Sequence, residues 1–298
     1  MKKHSNNNSN IASNRKVLVI GLGQIGYHNA EYFTSMGLTV DGYDISPSAI
    51  KRALDSRVIS KSAVNFRGYD YYVICVSTHK PDNMFVPSLE GLFDVVDRIS
   101  SEGKTDALVC LDSTLAHGTS TRIEEILKHR LHVCHVPHRF WISDKSAHGI
   151  RQTRVLGGCK PCCVQKAEDF YQNILEIPVY KTSTIEIAEL SKIVENSYRF
   201  LEIAFAEELK IMCDQLGVAF EELRQAVNTK WNIKLLEVRD GIGGHCLPKD
   251  TQMYLNVATN FLNLSIMEAA KITDQYYKHA HLPKLMNKEM AYQNISTR

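Results

Sequence analysis

Short apolar runs and longer amphipathic stretches alternate through the N-terminal part of the chain. Lys16–Ile20 is a β-branched apolar run that ends at glycines, and Thr39–Tyr43 is expected as a second strand, closed by Asp44. Residues 71–76 and 107–111 are continuously apolar, as strands buried on both faces are, and 133–136 is a further buried-strand candidate. Residues 25–36, 89–100 and 121–130 instead carry apolar positions at helical spacing. Strand and helix in alternation predict a doubly wound α/β fold, a parallel sheet with helices on both faces. Residues 154–156 and 179–180 predict two later strands.

The pattern changes near residue 184. Ile185–Leu216 contains no Gly or Pro and repeats apolar residues at Ile187, Leu190, Ile193, Val194, Leu201, Ala204, Phe205 and Leu209, which predicts one long helix. Gly217 is placed as its C-cap. Further helices are expected at 220–227, 251–258 and 264–281. The organisation is therefore a polar tail over 1–14, expected to be disordered, an α/β domain over 15–182 and an all-helical domain over 183–298. At 1.5 Å per residue the long helix would reach about 48 Å, more apolar stripe than one small domain covers, so a homodimer is expected.

Composition narrows the class. The chain has 298 residues, 44% apolar and 23% charged, with a net charge of +2. That balance gives no push towards nucleic acid or an anionic membrane. The eight cysteines include Cys75 and Cys110 inside apolar runs, the pattern of free thiols in a reducing cytosol. No signal-peptide core and no membrane-length apolar run is present, so a cytoplasmic location is expected. Cys159-x-x-Cys162-Cys163 is followed by no His or Cys pair at zinc-finger spacing, and no metal site is expected from it.

Gly21-Leu22-Gly23-Gln24-Ile25-Gly26 is a G-x-G-x-x-G between the first strand and the first helix, the context that makes this pattern a Rossmann-type dinucleotide fingerprint. Gly21 permits the tight turn, Gly23 lets backbone approach a pyrophosphate, and Gly26 lets helix and strand pack closely. Gln24 and Ile25 open the helix whose N-terminus would hold the phosphates. Asp44, at the end of the second strand, suits the ribose hydroxyls and repels a 2′-phosphate, so the expected cofactor is NAD rather than NADP.

Two further groups carry candidate chemistry. Gly241-Ile242-Gly243-Gly244-His245-Cys246-Leu247-Pro248-Lys249-Asp250 presents a cysteine on a glycine-rich loop with a lysine and an aspartate behind it. Nearby cations favour a reactive thiolate; the alternative is a buried loop cysteine beside a helix capped by Asp250. On the long helix Glu189, Lys192, Asn196 and Arg199 share one face, which is either catalytic or simply solvated.

The segments Lys192-x-x-x-Asn196-x-Tyr198-Arg199, Ile203-Ala204-Phe205-Ala206-x-Glu208-Leu209 and Gly243 to Asp250 resemble the UDP-glucose / UDP-N-acetylmannosamine 6-dehydrogenase family. The glycine fingerprint, Ser113-Thr114 with Gly118-Thr119, and Arg154 with Gly157-Gly158 fit the same template in order, over roughly residues 15 to 280. The resemblance implies oxidation of a sugar 6-hydroxyl to a carboxylate with two NAD. Cys246 would attack the aldehyde, Lys192 and Asn196 would stabilise negative oxygen, and Asp250 would assist proton transfer. Thr78, Ser113, Thr114 and Lys249 would lie about the cofactor. Two departures stand out. Val136-Pro137-His138-Arg139 has His138 where the family has a glutamate assigned to hydrolysis, so His138 is expected as a general base near neutral pH, and Ile142-Ser143 replace a family Pro-Gly. Family members also carry a C-terminal domain that grips UDP, whereas this sequence stops at Arg298. The resemblance then implies a short form whose UDP site comes from a separate chain or whose substrate differs. A two-electron alcohol or hydroxyacid dehydrogenase and an NAD-binding non-catalytic subunit are the alternatives.

Overall fold

The computed structural model describes residues 15–141, 144, 148–263 and 265–283. The expected tail over 1–14, Ile142-Ser143 and Leu264 lie outside the described residues. The chain divides into two compact units, Met1–Lys192 and Ile193–Arg298.

The first unit is built on a seven-stranded sheet. In chain order its strands are β1 (Lys16–Ile20), β2 (Thr39–Tyr43), β3 (Tyr71–Ile74), β6 (Leu108–Leu111), β7 (His132–His135), β8 (Arg154–Gly158) and β9 (Val179–Lys181). They lie in the order β2-β1-β3-β6-β7-β8-β9. Strands β4 (His79–Lys80) and β5 (Asn83–Pro87) form a separate hairpin. Alternate residues of each strand feed opposite cores. Val17, Val19 and Tyr71 pack with Phe33 and Phe170, while Leu18, Ile20 and Tyr72 pack with Leu92 and Ile99. Helices α1 (Gln24–Ser35), α3 (Glu90–Glu102) and α4 (Thr119–Leu127) connect the strands. The sheet is not wholly parallel as expected: β8 runs antiparallel to β7, pairing Gly158 with Cys134 and Gly157 with His135.

That reversal brings β8 against the start of the long helix. A Cβ on Gly157 would sit 2.8 Å from the Ile185 Cα and 2.9 Å from the Ala188 Cβ, so only glycine permits the approach. Helix α2 (Pro47–Asp55) is capped by Ser46, whose hydroxyl accepts the Ala49 N–H, and starts with Pro47. Helix α5 (Pro161–Glu168) also starts with proline and runs on as a wider turn over Asp169–Ile174. The apolar pattern alone predicts neither of these short helices.

A charged pair sits inside this unit. Arg154, at the head of β8, donates to Asp112 Oδ2 at 2.7 Å, with both side chains at most 1% exposed. Asn29 of α1 donates to the same oxygen at 2.8 Å and accepts from Arg154, while the Tyr171 hydroxyl donates to Asp112 Oδ1 at 2.7 Å. The carboxylate is thereby satisfied on both oxygens, the condition under which a buried charge is tolerated.

Helix α6 (Ile185–Leu216) has the predicted bounds and spans the two units. Gly217 ends it in the left-handed conformation, φ +70°, and the Val218 N–H returns to the Cys213 carbonyl. Of the expected stripe, Ile193 and Ala204 are buried, but Ile187, Val194 and Phe205 are exposed. Within the second unit Val194, Tyr198, Phe205, Met212 and Leu216 form an exposed apolar series at intervals of seven and four residues. Helices α7 (Phe220–Asn228), α8 (Cys246–Ala258) and α9 (Ile266–Tyr276) complete this unit. Among the described residues no helix is long and apolar enough to cross a membrane.

Candidate functional site

The glycine turn lies at the carboxyl end of β1, where β2 and β3 diverge to either side, the crevice in which open α/β sheets bind ligands. Gly21 has φ +87°, and a Cβ there would lie 2.7 Å from the Cys75 carbonyl oxygen. A Cβ on Gly26 would collide with the Gly21 carbonyl, which explains the third glycine. A Cβ on Gly23 would meet nothing within 4 Å, so the space above this turn is open. Gln24 and Ile25 begin α1, whose N-cap Gly23 supplies no side-chain acceptor and whose first turn holds no acidic residue. The first-turn N–H groups are thus free to hold a pyrophosphate, and the cradle fits a dinucleotide.

Asp44 braces this turn. Its Oδ2 accepts the Leu22 N–H at 2.6 Å and its Oδ1 accepts the Ser46 N–H at 2.7 Å. Thr78 and Ser113 are buried beyond the ends of β3 and β6. The Thr78 hydroxyl donates to the Thr114 carbonyl at 2.8 Å, and the Ser113 hydroxyl to the Val76 carbonyl at 2.7 Å. These bonds fix the backbone path of Thr114, itself half-buried.

His138 does not have the environment expected of it. It is 6% exposed, and burial, then Arg154, Lys192 and His28, hold its pKa well below the usual histidine value. Its Nδ1 accepts the Phe140 N–H at 2.7 Å. A neutral imidazole that accepts at Nδ1 carries its proton on Nε2, and Nε2 has no partner. The expectation of a general base titrating near neutral pH is therefore corrected: His138 presents a hydrogen-bond donor. Its neighbour His135 is fully buried with neither ring nitrogen bonded, and burial pushes its pKa down to about 3, which the backbone of Leu111 only partly offsets.

The polar face of α6 separates into different roles. Glu189 is fully buried, and its carboxylate accepts the Gly118 and Ser120 N–H groups at 2.7 and 2.6 Å, capping α4 from outside. Lys192 is half-buried. Arg199 is exposed and pairs with Glu202. Asn196 belongs to a buried chain in the second unit: its Nδ2 donates to Asp250 Oδ2 at 2.5 Å, while Asp250 Oδ1 holds the Lys249 ammonium. Asp250 and Lys249 are 1% and 6% exposed.

Cys246 is exposed and is the first residue of α8. The helix thus starts five residues before the expected 251, and Asp250 lies inside it rather than capping it. The cysteine is not a buried loop residue. Nor is Lys249 a free cation for the thiol, because Asp250 engages it. Cys246 thus stands at the N-terminal end of a helix, directly after its N-cap His245. Gly241 and Gly244 have φ +91° and +78°, so the glycines set the path into that helix.

Sequence reasoning missed Asn29, Asp112 and Tyr171, whose partners are remote in sequence. It also missed Glu207, fully buried with both carboxylate oxygens unpaired; burial and then Asp274 push its pKa up to about 8, against Lys278. Glu207 directly precedes Glu208, and only its contacts distinguish the two.

Residues 186–276 match the model of the UDP-glucose/GDP-mannose dehydrogenase family, central domain. The chain is 26% identical to UDP-N-acetyl-D-mannosamine dehydrogenase of Methanococcus maripaludis over 267 residues, 83% of this chain and 62% of that protein. It is 28% identical over 273 residues to the Escherichia coli K12 protein of the same description, covering 78% of this chain and 63% of the relative. The chain therefore spans less than two thirds of these relatives' length. The solved UDP-D-ManNAc dehydrogenase of Pyrococcus horikoshii superposes with a TM-score of 0.81 at 25% identity, over 94% of this chain and 72% of that one. A 3-hydroxyisobutyrate dehydrogenase of Mycobacterium tuberculosis shares the fold, with a TM-score of 0.68 at 12% identity over 88% of this chain and 92% of that one.

The buried histidines make a prediction for acid stability. Each stays neutral in the folded state but takes up a proton in the unfolded chain below about pH 6.5. Their depressed pKa values therefore leave stability untouched above pH 6.5 and erode it as pH falls from there towards about 3 for His135. Each contributes up to about 1.4 kcal/mol of loss per pH unit. Urea unfolding at pH 7 and pH 5 should show the His135→Leu variant losing roughly 2 kcal/mol less than the wild type between the two. Equal losses would contradict the assignment.

Proposed function

We propose that the chain, whose residues 186–276 match the model of the UDP-glucose/GDP-mannose dehydrogenase family, central domain, is an NAD-dependent oxidoreductase that oxidises the 6-hydroxyl of a nucleotide sugar through a covalent intermediate on Cys246. The observation that carries this reading is an exposed thiol at the start of α8, backed in the same unit by the buried Asn196–Asp250–Lys249 chain. A two-electron dehydrogenase needs no such cysteine. The bound nicotinamide would supply the hydride acceptor, and Gly21, Gly23, Gln24, Ile25 and Gly26 would hold its dinucleotide. Asp44 favours NAD over NADP because a second anion beside its carboxylate is unfavourable.

The chemistry of the chain's own residues follows in order. The alcohol first loses a hydride and a proton and becomes an aldehyde. The Cys246 sulfur adds to that carbonyl carbon, and the oxygen takes a proton to give a thiohemiacetal. Loss of a second hydride and of the hydroxyl proton leaves a thioester, and water then breaks the C–S bond, giving the acid and returning a proton to the thiol. Lys192 and Asn196 would stabilise negative charge developing on oxygen. Asp250, held by Asn196 and Lys249, would relay protons through water. With His138 a donor, the hydrolytic step lacks the carboxylate that relatives use, so hydrolysis is the slow step.

The exposed series Val194, Tyr198, Phe205, Met212 and Leu216 further supports a homodimer formed through α6. Light scattering at micromolar concentration should give twice the chain mass, and Phe205→Glu should give the single mass; a wild-type monomer would refute the dimer.

Counting NADH tests the activity. With NAD in excess and UDP-N-acetylmannosamine or UDP-glucose limiting, the wild type should release two NADH per sugar consumed. Cys246→Ser should stop at one or fewer, with no acid product and with NAD binding retained. Sustained turnover at one NADH per sugar in both proteins would replace this reading with a two-electron dehydrogenase.

A further inference from the structure

The amino end of the sheet holds a second group of reactive side chains, wholly within the first unit. His132 is the first residue of β7, and Cys162 and Cys163 lie in the first turn of α5, which packs on that strand. One ligating atom of each lies within 4.8 Å of the others. All three cysteines of this stretch, Cys159 included, are free thiols, but Cys159 is outside the cluster. Cys163 is buried, His132 is partly covered and Cys162 faces solvent.

We propose that His132, Cys162 and Cys163 form a zinc site with one coordination position open to solvent. Two thiolates and an imidazole are the donor set that zinc prefers, and three protein ligands leave its fourth tetrahedral position for water. Zn–S bonds of about 2.3 Å put tetrahedral sulfurs roughly 3.8 Å apart. The observed limit of 4.8 Å thus leaves a closure of about 1 Å, within reach of a side-chain rotation at the exposed Cys162.

The surroundings of His132 support a metal-binding role. Asp106 Oδ1 lies 2.8 Å from His132 Nε2. A carboxylate on one ring nitrogen fixes the proton there, orients the ring and leaves the other nitrogen with its lone pair for a metal. Asp106 is itself fixed, because Lys166 donates to its Oδ2 at 2.5 Å and to its backbone carbonyl. Binding would displace two thiol protons to solvent. No linear motif exposes this set: β7 and α5 bring together positions thirty residues apart.

The site is remote from the proposed redox chemistry. The glycine turn follows the carboxyl end of β1, whereas His132 stands at the amino end of the parallel strand β7. Zinc here would pin α5 to the sheet and take no part in hydride transfer.

The test uses the full chain, stripped of metal by a chelator under reducing conditions and titrated with Zn²⁺ against a chromophoric competitor. One equivalent should bind, Co²⁺ in its place should show thiolate-to-metal charge transfer, and saturating Zn²⁺ should raise the melting temperature by roughly 5 °C. His132→Gln and the exposed Cys162→Ser should each weaken binding roughly tenfold or more, and Asp106→Asn about 10- to 100-fold. Cys246→Ser, whose thiol belongs to the other unit, should bind like the wild type. The proposal is overturned by a chain that takes up no stoichiometric Zn²⁺. It is equally overturned if both His132→Gln and Cys162→Ser bind at wild-type affinity, or if Cys246→Ser abolishes binding.

Discussion

The first unit depends on the buried pair between Asp112 and Arg154. Asp112 directly follows β6 and Arg154 opens β8, two strands that do not touch each other in the sheet. Asn29 adds α1 and Tyr171 adds the wide turn after α5, so one carboxylate ties four elements together. A carboxylate stripped of its partners in that setting would cost several kcal/mol. The geometry is therefore nearly all-or-none. Its consequence for function is positional: Ser113 and Thr114 leave the sheet directly after Asp112. Arg154 starts the strand that carries Gly157, where β8 meets the long helix. Asn29 anchors the same α1 that begins at the glycine turn.

The long helix is fixed by comparable means. Glu189 inserts a buried carboxylate between the first N–H groups of α4 and so joins α6 to the α/β unit without a partner cation. Three residues later Lys192 stands half-buried as one of the charges that depress the His138 pKa. Electrostatics and tautomer agree at His138. Burial, and after it cationic neighbours, keep the ring neutral, and the Phe140 N–H puts its proton on Nε2. A histidine so placed can steady an oxyanion but cannot take a proton from water at that nitrogen.

Much of this was legible in the sequence where local rules dominate. The absence of Gly and Pro gave the bounds of Ile185–Leu216, and the spacing of Gly21, Gly23 and Gly26 marked the turn between β1 and α1. Resemblance singled out Cys246, Asn196 and Asp250. Illegible were features that depend on partners distant in the chain. Nothing local tells that Glu189 is a buried cap while Arg199 is solvated, although both share one helix face. The start of α8 at Cys246 was hidden because Gly243, Gly244 and Pro248 look like loop residues, yet proline is tolerated in a helix's first turn. The apolar stripe of α6 was visible, but sequence could not show that Val194 and Phe205 face outward while Ile193 and Ala204 face in. His138 looked like a base because its type titrates near neutrality; burial and one backbone N–H decide otherwise.

The central claim is that Cys246 carries the substrate as a thioester that this chain releases slowly. Intact-protein mass spectrometry after acid quench, with NAD and a UDP-sugar present during turnover, addresses it directly. The account predicts a mass increase of one acyl group, mapped to Cys246, that decays faster in His138→Glu. Wild-type protein that stays at its unmodified mass while NADH accumulates would contradict it.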